Sequence, residues 1–208
     1  MEDKLNFRIA KLLLEINAIK LQANNPFIWS SGIKSPIYCD NRILLSFPNY
    51  RNLVAKEIAN LILQKYVSVD IIAGVATGAI GIGLLVAEKL KLPFIYVRPE
   101  SKAHGRKNQI EGNIVKNKNV FVIEDLISTA NSSIKAIHAI KKAGMNVLGM
   151  SSIFTYELKI AAKNLKSEGI DFFSLSNYST LIKVAKELNY INDDEIKILK
   201  KWNRSNWK

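Results

Sequence analysis

The chain has 208 residues and carries 30 lysines and arginines against 18 acids, a formal charge of +12. It is 48% hydrophobic and 23% charged, which excludes a disordered or fibrous chain, and no apolar run reaches the about 18 residues of a membrane span. The charge suggests nucleic-acid or anionic-ligand binding, yet Lys, Ile and Asn make up 72 residues and only 6 are Arg, the pattern of an AT-rich coding bias on a solvated surface.

In chain order, Glu2 and Asp3 stand where a secretory signal would want positive charge, which argues for a cytoplasmic protein. Leu5, Ile9, Leu12, Leu13, Ile16 and Ile19 repeat at helical spacing, predicting a helix over 3–21. Residues 27–45 contain Gly32 and Pro36 and predict short strands and turns, with Tyr38, Asp40 and Arg42 on one face by period two. The lone cysteine of the chain, Cys39, rules out an internal disulfide and fits a reducing compartment. Residues 49–65 predict an amphipathic helix.

An alternation follows. Strands are predicted at 69–73, 94–97, 120–123, 147–154 and 172–175, and helices at 79–90, 133–142, 157–168, 179–188 and 193–202. Residues 98–112 are polar and aperiodic. Strand–helix alternation from 69 to 175 predicts an α/β fold with a mainly parallel central sheet, whose ligands bind beyond the carboxyl ends of the strands. One domain is expected, with 69–175 as its core and 1–45 as a small cap or subdomain.

Three strand-end segments carry chemistry. After the strand at 120–123 come Glu124 and Asp125, then Leu126, Ile127, Ser128, Thr129, Ala130, Asn131 and Ser132, then a helix. Acids suited to sugar hydroxyls, followed by small residues at a helix start, describe a ribose-5-phosphate site. The alternative is an ordinary helix start capped by Asn131 or Ser132, with solvated acids. After the strand at 69–73, Gly74, Ala76, Thr77 and Gly78 let the backbone approach an anion, or simply pack a helix on the sheet. The polar loop holds Arg98, Lys102, His104, Arg106 and Lys107, suited to closing over an anionic substrate or to a solvated surface. His104 can act as acid or base near neutral pH, whereas His138 falls in a helical pattern and is assigned a structural role.

The run from Val120 to Ser132 resembles the phosphoribosyl-pyrophosphate (PRPP) signature of the type I phosphoribosyltransferases. The resemblance implies that fold, with Glu124 and Asp125 on the ribose hydroxyls, 126–132 around the 5-phosphate, and Ala76, Thr77 and Gly78 as the pyrophosphate loop. Many members have glycine at Ala130, where glycine allows a positive φ and alanine adds a Cβ. The segment from Ser31 to Arg42 is similar to the S-G-x-x-S-P-x-Y-x-D-x-R segment of the orotate-specific branch, where it forms a hood over the base. Arg98, Lys102, His104, Gly105 and the pair Glu111–Gly112 stand at that branch's loop spacing, though Pro99 replaces a frequent lysine. Segments 153–156 and 175–178 are also similar to its bacterial members. This resemblance implies transfer of the phosphoribosyl group of PRPP to orotate in UMP biosynthesis. It further implies Arg98, Lys102 and His104 on PRPP, Lys102, His104 and Asp125 as catalytic residues, and Ser128 on orotate. Mg²⁺ bridging the substrate, a homodimer with shared active sites, no nucleic-acid partner and no membrane attachment are the remaining expectations.

Overall fold

A computed structural model describes residues 2–29, 32–100 and 109–205. Helix α1 (Glu2–Glu15) stops short of the predicted end, because Asn17 turns left-handed at φ 56° and Ile19 is taken into a strand. That strand, β1 (Ile19–Leu21), pairs antiparallel with β4 (Ile37–Cys39). Between them β2 (Phe27–Ile28) and β3 (Lys34–Ser35) make a second antiparallel pair. These two small ladders form the hood. The period-two pattern ends with β4: Asp40 caps a 3₁₀ helix (Asn41–Ser46), and Arg42 lies within it, ion-paired to Asp40 at 2.7 Å. Asp40 and Arg42 therefore meet through a local cap and not across a strand face.

Helix α2 (Pro48–Lys65) begins with proline at its first turn, where no backbone N–H is needed. The core then alternates as β5 (Ile71–Val75), α3 (Ala79–Leu90), β6 (Phe94–Val97), β7 (Ile110–Glu111), β8 (Asn119–Ile127), α4 (Asn131–Lys142), β9 (Asn146–Thr155), α5 (Lys159–Ser167) and β10 (Phe172–Asn177). Helices α6 (Tyr178–Glu187) and α7 (Asp193–Arg204) follow.

The described core strands form a sheet in the order β10-β9-β8-β5-β6-β7, parallel throughout except for β7. β7 closes a hairpin with β6 and was hidden in the sequence by its length of two residues. The interior strands are buried on both faces, which explains their continuous apolar runs, as in β5 and the first half of β8. The mainly parallel α/β expectation is met. One apolar cluster lies under α2, α3, α6 and α7, and another under α4 and α5. Helix α1 packs on α6 and β10, with Ser176 Oγ donating to the Asn6 carbonyl at 2.8 Å.

The chain leaves β5 toward β6 on one side and returns to β8 on the other. The crevice between β5 and β8 is therefore the topological switch point, where open α/β sheets bind ligands. Among the described residues no helix is long and apolar enough to cross a membrane.

Candidate active site

Strand β8 outruns β5. Its pairing with β5 ends at Ile123, while its pairing with β9 continues to Ile127. Glu124 and Asp125 thus lie in the strand and not in a loop after it, and alternation sends their side chains to opposite faces. Glu124 turns inward and is only 4% exposed. Its carboxylate accepts from Ser133 Oγ at 3.0 Å and from the Asp125 N–H at 3.1 Å. Burial, aided by the neighbouring charge of Asp125, pushes its carboxyl well above the usual range. Asp125 is half-buried and remains reachable, and its carbonyl accepts from the buried Asn41 Nδ2 at 2.7 Å. The two acids are therefore unequal: Asp125 is open to the crevice, and Glu124 is the buried residue behind it.

Opposite Asp125 stands the turn after β5. A Cβ on Gly78 would lie 2.2 Å from Asp125 Oδ2, so only glycine leaves that carboxylate its place. Ala76, Thr77 and Gly78 form this turn and are not buried, and the Ala76–Thr77 peptide is cis. Gly74 belongs to β5 itself. A Cβ there would meet the Ala79 carbonyl at 2.8 Å, so Gly74 serves helix-on-sheet packing and not ligand approach.

Ser128 and Thr129 bend the chain from β8 into α4. Ala130 takes the left-handed conformation at φ 67°, ψ 7°, although it carries a Cβ where many members have glycine. No side chain caps α4. The capping alternative for Asn131 or Ser132 is thus overturned, and the first-turn amides and the helix dipole are left for an anion. Asn131 instead engages Asn164 of α5, whose Nδ2 reaches Asn131 Oδ1 at 3.3 Å and the Thr129 carbonyl at 3.0 Å. Asn164 supports this loop from another helix, and no local sequence signal announces it. Within the predicted 126–132 stretch, the Ile127 side chain is buried in the core and its carbonyl accepts from the Tyr156 N–H.

Beside the crevice is a cavity of about 330 Å³, lined by Ile28, Trp29, Tyr38 and Cys39 from the hood, Leu126 and Ser128 from β8 and its turn, and Tyr156 after β9. Ser128 is where the reading of the sequence placed it. Trp29 and Tyr156 were missed as site residues; their ring faces come together only through the fold. Burial, then the charges of Asp125 and Asp40, pushes the Cys39 thiol up, so it stays neutral.

Arg98 leaves β6 at the stem of the polar loop. Its N–H donates to the Gln109 carbonyl at 2.9 Å, Gln109 Nε2 returns a bond to the Arg98 carbonyl, and its guanidinium lies 3.5 Å from Glu111. The loop is thereby pinned at its base on the ligand edge of the sheet. Lys102 and His104, with Arg106 and Lys107, lie outside the described residues. His138 is on the far surface of α4, 2.7 Å from Glu168, away from the site.

Residues 44–176 match the phosphoribosyl transferase domain family. Across nearly its whole length the chain is 48% identical to an orotate phosphoribosyltransferase of Cytophaga hutchinsonii, covering 96% of this chain and 97% of that protein. The chain belongs to the orotate phosphoribosyltransferase family. Among solved structures it superposes on an orotate phosphoribosyltransferase of Aeropyrum pernix with a TM-score of 0.76 at 27% identity, over 88% of this chain and 99% of that one. It also superposes on Leishmania donovani UMP synthase with a TM-score of 0.80 at 28% identity, over 95% of this chain and 42% of the larger protein. The fold is accordingly that of the type I phosphoribosyltransferases. The phosphoribosyl transferase match begins after Trp29, Tyr38 and Cys39, so much of the cavity wall comes from the flank that precedes the shared domain.

Proposed function

We propose that the protein transfers the 5-phosphoribosyl group of PRPP to orotate, giving orotidine 5′-monophosphate and pyrophosphate in UMP synthesis. The observation that carries this is one juxtaposition. An open carboxylate, a glycine turn, an uncapped helix start and an aromatic cavity surround the β5–β8 switch point, in a chain 48% identical to an orotate phosphoribosyltransferase.

In this reading the first-turn amides of α4, with the hydroxyls of Ser128, Thr129 and Ser132, hold the 5-phosphate. Asp125 orients the ribose hydroxyls, and Glu124, bonded to Ser133, holds the strand behind it. Ala76, Thr77 and Gly78 take the pyrophosphate. Orotate lies in the aromatic cavity with Ser128 at its edge. The base nitrogen attacks C1′ as the bond to the pyrophosphate oxygen breaks, and positive charge builds on the ribose. Asp125 offsets that charge. Arg98, Lys102 and His104 neutralise the departing pyrophosphate, which matters because both substrates are anions.

Mg²⁺ fits this donor set. Among the described residues no cluster of three ligating side chains exists, and a hard cation of this kind uses one or two carboxylates with substrate oxygens and water. Asp125 is the carboxylate this crevice would contribute, and the ion would supply charge neutralisation at the pyrophosphate. A homodimer in which the 98–112 loop serves the neighbouring site, and a cytoplasmic location, belong to the same proposal. Incubation with PRPP, Mg²⁺ and each base in turn, with products identified by mass, tests it. Orotidine monophosphate from orotate alone agrees, and a purine nucleotide refutes it.

A further inference from the structure

Trp29 and Tyr156 both line the cavity, Trp29 half-buried and Tyr156 only 2% exposed, with rings stacked at 5.4 Å and 18° to form an aromatic wall. A third ring holds that stack from behind. Trp202 of α7 meets Trp29 edge-on at 5.8 Å and 85°, and Tyr156 at 6.0 Å and 89°. Edge-to-face contact of this kind fixes ring orientation as well as burying area.

Hydrogen bonds tie the same helix to the backbone of the wall. The Trp202 indole N–H donates to the Lys34 carbonyl of the hood at 3.2 Å, and Asn203 Nδ2 donates to the Tyr156 carbonyl at 2.6 Å. Helix α7 is itself well anchored. Asn192 and Glu195 close a capping box at its start, Leu199 is fully buried, and the Tyr178 hydroxyl donates to the Leu199 carbonyl at 3.0 Å. The prop is therefore a rigid element, which precise sites require. It lies beyond residue 176, outside the shared phosphoribosyl transferase domain, whereas the groups assigned to PRPP sit in the turn after β5, in the loop after β6, and at β8 and the start of α4, all within it.

We propose that Trp202 is a positioning residue for the acceptor base: it sets the Trp29–Tyr156 wall and so tunes affinity for the base without touching PRPP. This rests on the orotate reading above. Replacing the indole by an aliphatic side chain removes both edge contacts and the bond to Lys34, yet leaves the PRPP groups in place.

The test is steady-state kinetics with each substrate varied in turn. Trp202→Leu should raise KM for orotate about tenfold, the loss expected for aromatic contacts plus one hydrogen bond, with KM for PRPP within about twofold of wild type. Trp202→Phe, which keeps a ring edge, should recover most of that loss. Asn203→Ala should give a smaller rise of the same selectivity, and it keeps the test decisive if the leucine variant folds poorly. A wild-type protein that does not consume orotate refutes the reading of the reaction. A wild type that does, with variants that leave the orotate KM unchanged or move both constants together, overturns the role of Trp202.

Discussion

Gly78→Ala should separate catalysis from stability. Gly78 sits at φ −62°, ψ −35°, a conformation alanine adopts freely. Its backbone therefore has no need of glycine, and at a compatible site this exchange stabilises by about 0.4–1 kcal/mol through the unfolded chain. What forbids a side chain is Asp125. The new Cβ would stand 2.2 Å from Oδ2, 2.4 Å from Cγ and 2.6 Å from Oδ1, whereas ordinary contact begins at 3.4 Å. The carboxylate must retreat by about 1.2 Å, and a misplacement of about 1 Å at a reacting centre costs on the order of 100-fold. The variant should lose about that much in kcat/KM for PRPP, while its melting temperature stays within about 4 °C of wild type, since 1 kcal/mol shifts a chain of this size by about 2–4 °C. Initial rates and a thermal melt measure both. A rate within threefold of wild type would show that the carboxylate works equally well elsewhere. A large fall in melting temperature would make Gly78 a packing residue and not a site residue.

Glu124→Gln should gain stability over wild type as pH rises. The folded protein raises this carboxyl above its unfolded value, so the stability tied to its proton is complete below about pH 4.3 and is lost as pH rises through the raised value. Glutamine escapes that loss, and the Ser133 hydroxyl can turn to accept from its amide. The variant should be more stable than wild type at pH 8, with the gap closing toward pH 4. A gap independent of pH would contradict the assignment. Asn164→Ala removes the bond to the Thr129 carbonyl and should raise KM for PRPP about two- to tenfold with KM for orotate unchanged. An equal rise in both would show a general loss of structure instead. Lys102→Ala should lower turnover by about 10²–10³-fold with little loss of PRPP affinity. Mixed with Asp125→Asn protein, it should regain activity on subunit exchange; none, despite proven exchange, rejects the shared site.

The core was readable because burial on both faces makes its strands short apolar runs between helices of 3.6-residue period. The PRPP-binding run was readable because its residues are neighbours in sequence. Boundaries failed where tertiary pairing outweighed local pattern. β8 continues through Glu124 and Asp125 because β9 pairs with it up to Ile127, and α1 stops at Glu15 although Ile16 and Ile19 continue its apolar stripe. Gly74 read equally as a ligand glycine or a packing glycine, and the Ala79 carbonyl, which no sequence spacing reveals, decides for packing. The cavity wall was the least legible part. Trp29 and Tyr156, and the Trp202 that props them, are far apart in the chain, and an aromatic residue looks the same in sequence whether it fills a core or faces a ligand. The +12 charge divides in the same way. Arg98 stands at the ligand edge, while Lys183, Lys186, Lys197 and Lys200 line the outer groove of α6 and α7 with no part in the proposed reaction.

The most direct test of the central claim is the ultraviolet absorbance of orotate after the protein is added to PRPP and Mg²⁺. The account predicts a steady fall, matched one for one by pyrophosphate, no consumption of adenine, guanine or hypoxanthine in parallel reactions, and near-complete loss of the signal with Asp125→Asn. Unchanged orotate absorbance with a folded protein, or turnover of a purine in its place, would contradict it.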